Sequence, residues 1–297
     1  MIDLRTVADL RAFLFKRLDD FLKEKNGVLK GHDIEHLHRM RVASRRLRTA
    51  LWAFNSYLTE NTYRRLTAIV KEVANGLGGA RDLDTHIAFM RELSGKSLPD
   101  ADYYPGIRAL SDALCLERAG IQRNISSLLK EIDRREIKSQ MEEAFKSIPS
   151  ADRHDNIKLK HLARKKIEKR LDEFLKAVPG RFSWKQTSEL HALRIKTKHL
   201  RYALESFNPV YDSGLDTYID AAHSVQDHLG DFHNYDVWLQ FTRKFARRHA
   251  HDEKLICGIR YVEEECDRRR DDALRSFIRL WDELLHKRKW EKLRDLL

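Results

Sequence analysis

The side chains in this chain that can do chemistry are basic, and they recur. Within Leu37–Arg48, His38, Arg41, Arg45 and Arg48 stand at relative positions 0, +3, +7 and +10. His191, Arg194, Lys198 and Arg201 repeat that spacing 153 positions later. At about 100° per residue, each set falls within roughly 80° of one helix face and runs for about 15 Å. Neither stretch contains an acid. Such a row has no paired acid and base with which to cleave a bond, but it can hold an anion. Arginine forks match phosphate oxygens, and a row of them matches an extended polyanion. Like charges at i,i+4, as in Arg41/Arg45 and Arg194/Lys198, destabilise a helix. A bound anion, or an acid from another helix, has to offset them.

Other residues widen or narrow that reading. Arg11, Arg17, Arg164 and Arg170 are also duplicated. The stretch with Lys158, Lys160, His161, Arg164, Lys165, Lys166, Lys169 and Arg170 is basic enough to add charge to the same site. His38 and His191 match across the halves and have two open roles, donating to phosphate or bonding within the fold. His32 and His36 have a spacing that can hold a metal, but no acidic or cysteine ligand accompanies them at matching positions, so we expect surface histidines and no metal. Gly76, Gly78 and Gly79 lack the preceding strand and the Gly-Lys-Ser/Thr ending of a phosphate loop, which leaves a close helix crossing or a bend. Asp84 and Asp236 also match across the halves. They read as acids that orient basic side chains, not as catalytic acids. No cofactor motif is found.

The elements that must position these residues are helices. Met40, Leu47, Leu51 and Phe54 lie opposite the first row, and Leu193, Leu200, Leu204 and Phe207 lie opposite the second. The 297 residues are 42% hydrophobic and 35% charged, with only 12 Gly and 5 Pro, which fits long amphipathic helices. Periodicity predicts helices near 3–26, 33–58, 60–93, 103–147, 154–178, 185–208, 213–248 and 252–292. Pro99, Pro105, Pro149, Pro179 and Pro209 sit at their ends, and Asp33, Ser183 and Ser213 are capping candidates. The repeat extends further. Residues 11–23 share eight of 13 identities with 164–176, and Leu77–Asp84 aligns with Leu229–Asp236 at an offset of 152. The expected fold is all-α: two four-helix bundles, 1–148 and 153–297, related by pseudo-two-fold symmetry.

The net charge of +11 requires an anionic partner without naming it. No run of 18 apolar residues is present, so no membrane span is expected. Cys115, Cys257 and Cys266 are odd in number and lack zinc spacing, which fits reduced, structural thiols in a cytoplasmic protein. Nothing resembles an RNA-binding sheet or a zinc finger.

The second copy, His191 to Glu205, resembles the signature of the CHAD family, the histidine-containing α-helical domain, and His38 to Phe54 is similar to its first-half version. Leu77-Gly78 with Arg81-Asp82 and Asp84 resembles the family's third-helix motif, from which the second half departs at His233-Asn234. The resemblance covers nearly the whole chain. It implies long helices forming two four-helix bundles around a basic central channel, and binding of inorganic polyphosphate without catalysis. The alternating Glu-x-Glu-x-Lys strand of the triphosphate tunnel domain that some members carry is not present. The nearest acidic cluster, Glu263-Glu264-Glu265, lies in a helical stretch.

The leading expectation is a stand-alone polyphosphate-binding module, with sulfate or phosphate as stand-ins in crystals and an association with polyphosphate granules. A nucleic-acid binder using the same charge is the alternative. A metal-dependent phosphohydrolase is weaker, since no carboxylate cluster or metal set repeats.

Overall fold

The computed structural model describes residues 7–31, 33–95, 100–148, 155–212 and 214–297. Among them every regular element is helical. In order they are α1 (Val7–Leu22), α2 (Lys25–Lys30), α3 (Ile34–Ala53), α4 (Glu60–Ser94), α5 (Tyr104–Arg134), α6 (Ile137–Lys146), α7 (Asp155–Lys176), α8 (Thr187–Phe207), α9 (Asp216–Arg248), α10 (Glu253–His286) and α11 (Lys289–Leu296), with short 3₁₀ turns between some of them. The expected domain boundary beyond Ile148, together with His32, Pro99, Pro149 and Ser213, lies outside the described residues.

Each half stacks its helices in sequence. The first runs α1 on α3, α3 on α4 and α4 on α5; the second runs α7 on α8, α8 on α9 and α9 on α10. The halves meet where α3 packs on α8 and α5 on α10. The apolar faces read from the sequence are the buried ones: Met40, Leu47, Leu51, Leu193, Leu200 and Leu204 show no exposed surface. A large core spans both halves, with Phe54 set edge-on against its equivalent Phe207 at 5.2 Å between ring centres. A second core, built from Phe89, Met90, Ile107, Leu110, Trp238, Ile259 and Val262, belongs to α4, α5, α9 and α10. Each fully buried Phe or Leu contributes about 1.5–3 kcal/mol of transfer free energy.

At the second core the halves touch through glycine. A Cβ on Gly106 would lie 2.9 Å from Gly258 Cα and closer still to the Leu255 carbonyl oxygen. A Cβ on Gly258 would lie 3.0 Å from Gly106 Cα and closer to the Tyr103 carbonyl oxygen. Only glycine at both positions lets α5 and α10 cross at backbone distance. Of the earlier glycines, Gly76 packs under Leu128, whereas Gly78 faces open space inside an unbroken α4.

Three long expected helices are interrupted. The helix expected over 3–26 ends at Leu22, and α2 follows. The fourth of the first half breaks at Arg135–Glu136, and the last breaks at Lys287–Arg288. Glu136 and Arg288 adopt φ of 48° and 50°, left-handed values that stop an α-helix. They are 152 residues apart, in register with the repeat. Beyond Ala53 the helix expected to 58 gives way to a 3₁₀ turn. Asp33 caps α3, its Oδ1 accepting from Glu35 N at 2.8 Å. Ser183 does not cap α8, which begins at Thr187.

Candidate functional site

The contact of α3 with α8 brings the two basic rows together. Arg41, Arg45 and Arg48 project from α3, and Arg194 and Lys198 project from α8. Each is partly buried by the opposing helix, and each lies in the field of at least one of the others. Burial is the main force acting on their charges, followed by mutual repulsion. It pushes Arg41 down to about 10, where the guanidinium stays protonated at neutral pH, with Arg45 adding to the push. Arg48 and Arg194 are lowered for the same reason. Lys198 is pushed to about 7 by burial and then by Arg194, Arg45, Arg41 and Arg48.

Few groups answer these charges. Among the described residues, Asp82 of α4 is the one carboxylate in ion-pair contact with the row, 3.6 Å from an Nη atom of Arg41. The Nε atoms of Arg45 and Arg194 are buried with no hydrogen-bond partner. The ring of Tyr202 supports Arg45, 5.8 Å away.

Two clefts open on this row. One, of about 470 Å³, is lined by Arg41, His191, Arg194, Lys198 and His233 together with Leu83, Ile121 and Phe241. The second, of about 350 Å³, is lined by Arg48, Trp52, Lys71, Arg170, His199 and Tyr202. Lys198 lines the first cleft and Arg48 the second, and the charge of Arg48 acts on Lys198. Arg170 lies 4.2 Å from the Trp52 ring centre, and Lys166 lies 4.8 Å from it while donating to Asn55 Oδ1 at 2.9 Å.

The histidines frame the row in neutral form. Burial lowers His38, with Arg81 next to it in effect, and burial lowers His191, with Arg194 next. His191 meets His233 with ring centres 4.5 Å apart and planes tilted by 42°, and His233 falls to about 4, mainly through burial. His199 is also pushed to about 4. The Nδ1 atoms of His38, His191 and His199 are buried and unpartnered. His86, held at about 3 by burial alone, packs between Trp238 and Phe241 on the cleft wall.

Not every basic residue singled out in the sequence joins the row. Arg201 is buried in an ion pair with Glu205 at 3.5 Å, one turn along α8. Arg11 donates to the Ile148 carbonyl at the end of α6. Arg164 is exposed and pairs with Glu168 at 2.9 Å. Arg17 lies 4.7 Å from the Phe13 ring centre and lines an outer groove with His38 and Arg46. Arg170 pairs with Glu173 at 2.7 Å while reaching the second cleft. Asp84 pairs with Arg118 at 2.8 Å and Asp236 with Arg270 at 3.8 Å, so both acids tie a third helix to a fourth.

Sequence reasoning missed Lys71, His199 and Tyr202 of the second cleft and His233 of the first. His233 was visible only as a departure from Arg81. Among the described residues no three His, Cys, Asp or Glu side chains gather as a metal site, and no helix is long and apolar enough to cross a membrane. The thiols are unpaired. Cys266, inside the second core, is pushed to about 12 by burial.

No curated protein matches the chain. Among solved structures it is similar to the CHAD domain from the plant Ricinus communis, with 20% identity, a TM-score of 0.62 and coverage of 94% of this chain and 93% of that one. It is also similar to PptA from Streptomyces chartreusis, with 16% identity, a TM-score of 0.65 and coverage of 94% and 99%. The family model described as CHAD domain matches residues 12–243, well over half of the sequence. The chain that folds these two basic rows against each other therefore belongs to the CHAD family.

Proposed function

We propose that this protein is a non-catalytic binding module for inorganic polyphosphate, with the chain laid along Arg41, Arg45, Arg48, Arg194 and Lys198 as through a basic channel between two symmetry-related halves. One observation carries the reading: a row of partly buried cations lining two clefts, with, among the described residues, a single carboxylate in ion-pair contact. Holding such charges together costs free energy that a linear polyanion returns, since each internal phosphate carries about one negative charge and finds donors on both sides. The family membership supports the reading as well. On this reading the protein works in the cytoplasm, in association with polyphosphate granules.

The test compares three proteins at one ionic strength: the unaltered chain, Arg41→Glu with Arg194→Glu, and Lys130→Glu with Lys292→Glu on exposed faces elsewhere. Long-chain polyphosphate should bind the first and third and lose on the order of a hundredfold or more in the second. Equal losses in both variants would mean that only net charge matters. DNA of the same charge binding as tightly as polyphosphate would favour the nucleic-acid reading. Shortening of the chain by the unaltered protein with Mg²⁺ or Mn²⁺, lost on a point substitution, would make it a hydrolase.

A further inference from the structure

Asp82 stands where the row would otherwise be wholly cationic. It reaches from α4 to Arg41 at 3.6 Å, and its field also acts on Arg194 across the cleft. Its side chain is 72% exposed, so it is anchored by that contact and not by packing. The repeat supplies a built-in comparison. The position 152 residues on is Asn234, on α9, lining the same cleft with no charge. Asp231 acts on Arg194 only through its field, and Glu117 lines the cleft with no ion pair to Arg41 or Arg194 among the described residues, so neither duplicates Asp82.

We propose that Asp82 is a specificity-determining residue, an internal anion that competes with the ligand for Arg41 and Arg194. This rests on the reading of the row as a phosphate site. A phosphate that takes those two cations has to release the carboxylate or sit beside it. The cost is the same for every ligand that reaches this end of the row. A short phosphate has little else to bind and falls below useful affinity. A long chain continues onto Lys198, Arg45 and Arg48, with which no carboxylate among the described residues forms an ion pair, and tolerates the cost. Asp82 therefore sets a minimum length for what the site retains.

The test uses the full chain with pyrophosphate, tripolyphosphate and long-chain polyphosphate at fixed ionic strength. Asp82→Asn, which copies the second half, should tighten tripolyphosphate on the order of tenfold, the worth of one charge-assisted contact, and should shorten the minimum chain that binds at a given concentration. Asn234→Asp should do the reverse. Asp295→Asn, an exposed carboxylate in α11, carries the same change in net charge and should do neither. Unchanged or weaker tripolyphosphate binding in Asp82→Asn, or an equal gain in Asp295→Asn, overturns the proposal while long-chain binding by the unaltered protein still stands. Failure of the unaltered protein to bind long chains overturns the site itself. Exposure of Asp82 keeps Asp82→Asn clear of the core.

Discussion

The two halves carry the same basic spacing, yet one cation in each is used differently. Arg48 and Arg201 are equivalent, 153 residues apart. One turn further on, the first half has Trp52 and the second has Glu205. Trp52 offers Arg48 no carboxylate and lines the second cleft beside it. Glu205 takes Arg201 into a buried ion pair and out of the row, while also facing Arg46 at 3.6 Å. A motif of basic residues is thus not yet a site; the residue one turn beyond it decides whether its last charge is offered or neutralised.

Changes that press on this asymmetry have graded effects. The largest should come where the halves are alike. Gly258→Leu forces a side chain into the α5 backbone and should cost about 3 kcal/mol, read by urea unfolding. If stability is unchanged, the α5–α10 crossing is not as close as described.

Next comes the unlike pair. Arg48→Ala should weaken polyphosphate by roughly tenfold or more, the loss of a charge-assisted contact. Arg201→Ala should leave affinity nearly unchanged and lower the melting temperature, because Glu205 keeps only the more exposed Arg46. Equal affinity losses would erase the distinction between the halves.

The pH dependence is smaller and belongs to the second half alone, through Lys198. Its pKa is depressed to about 7 from 10.5, so the unfolded chain holds more protons between those values. Stability of the free protein should therefore rise with pH across that window, as the cost of a buried ammonium is removed. Anion binding favours the protonated form, so affinity should fall as pH rises through about 7, by at most about tenfold per unit for one proton. Lys198→Arg should flatten that fall in a titration from pH 6 to 8.5.

The smallest effects are at Gly78 and its equivalent Gly230. A Cβ on Gly78 meets nothing, and Gly78→Ala should gain about 0.5–1 kcal/mol from helix propensity. A Cβ on Gly230 would make ordinary van der Waals contact with Arg194 Nε at 3.7 Å, so Gly230→Ala should gain a similar amount and leave binding unchanged, measured by parallel melting and titration.

Much of this is legible in the sequence. The buried faces of α3 and α8 follow from Met40, Leu47, Leu193 and Leu200 at helical spacing, and the meeting of the rows follows from their repetition. Two signals were present and under-read: Arg201/Glu205 and Arg164/Glu168 are i,i+4 pairs of opposite charge, the spacing at which exposed or buried helices neutralise themselves. The breaks at Glu136 and Arg288 had no such signal. Neither is glycine, asparagine or proline, and their left-handed backbone is imposed by packing the short α6 and α11 back on their neighbours, α6 on α1 and α11 on α9 and α10. Arg11 is claimed by a carbonyl 137 residues away, a partner no local pattern names.

The glycine crossing at Gly106 and Gly258 has a further consequence. Together with the Phe54–Phe207 contact it fixes the separation of the halves at two points, one in each core. Repulsion among the cations that α3 and α8 bring together has to work against both contacts, so the work of assembling those charges is done once, by folding.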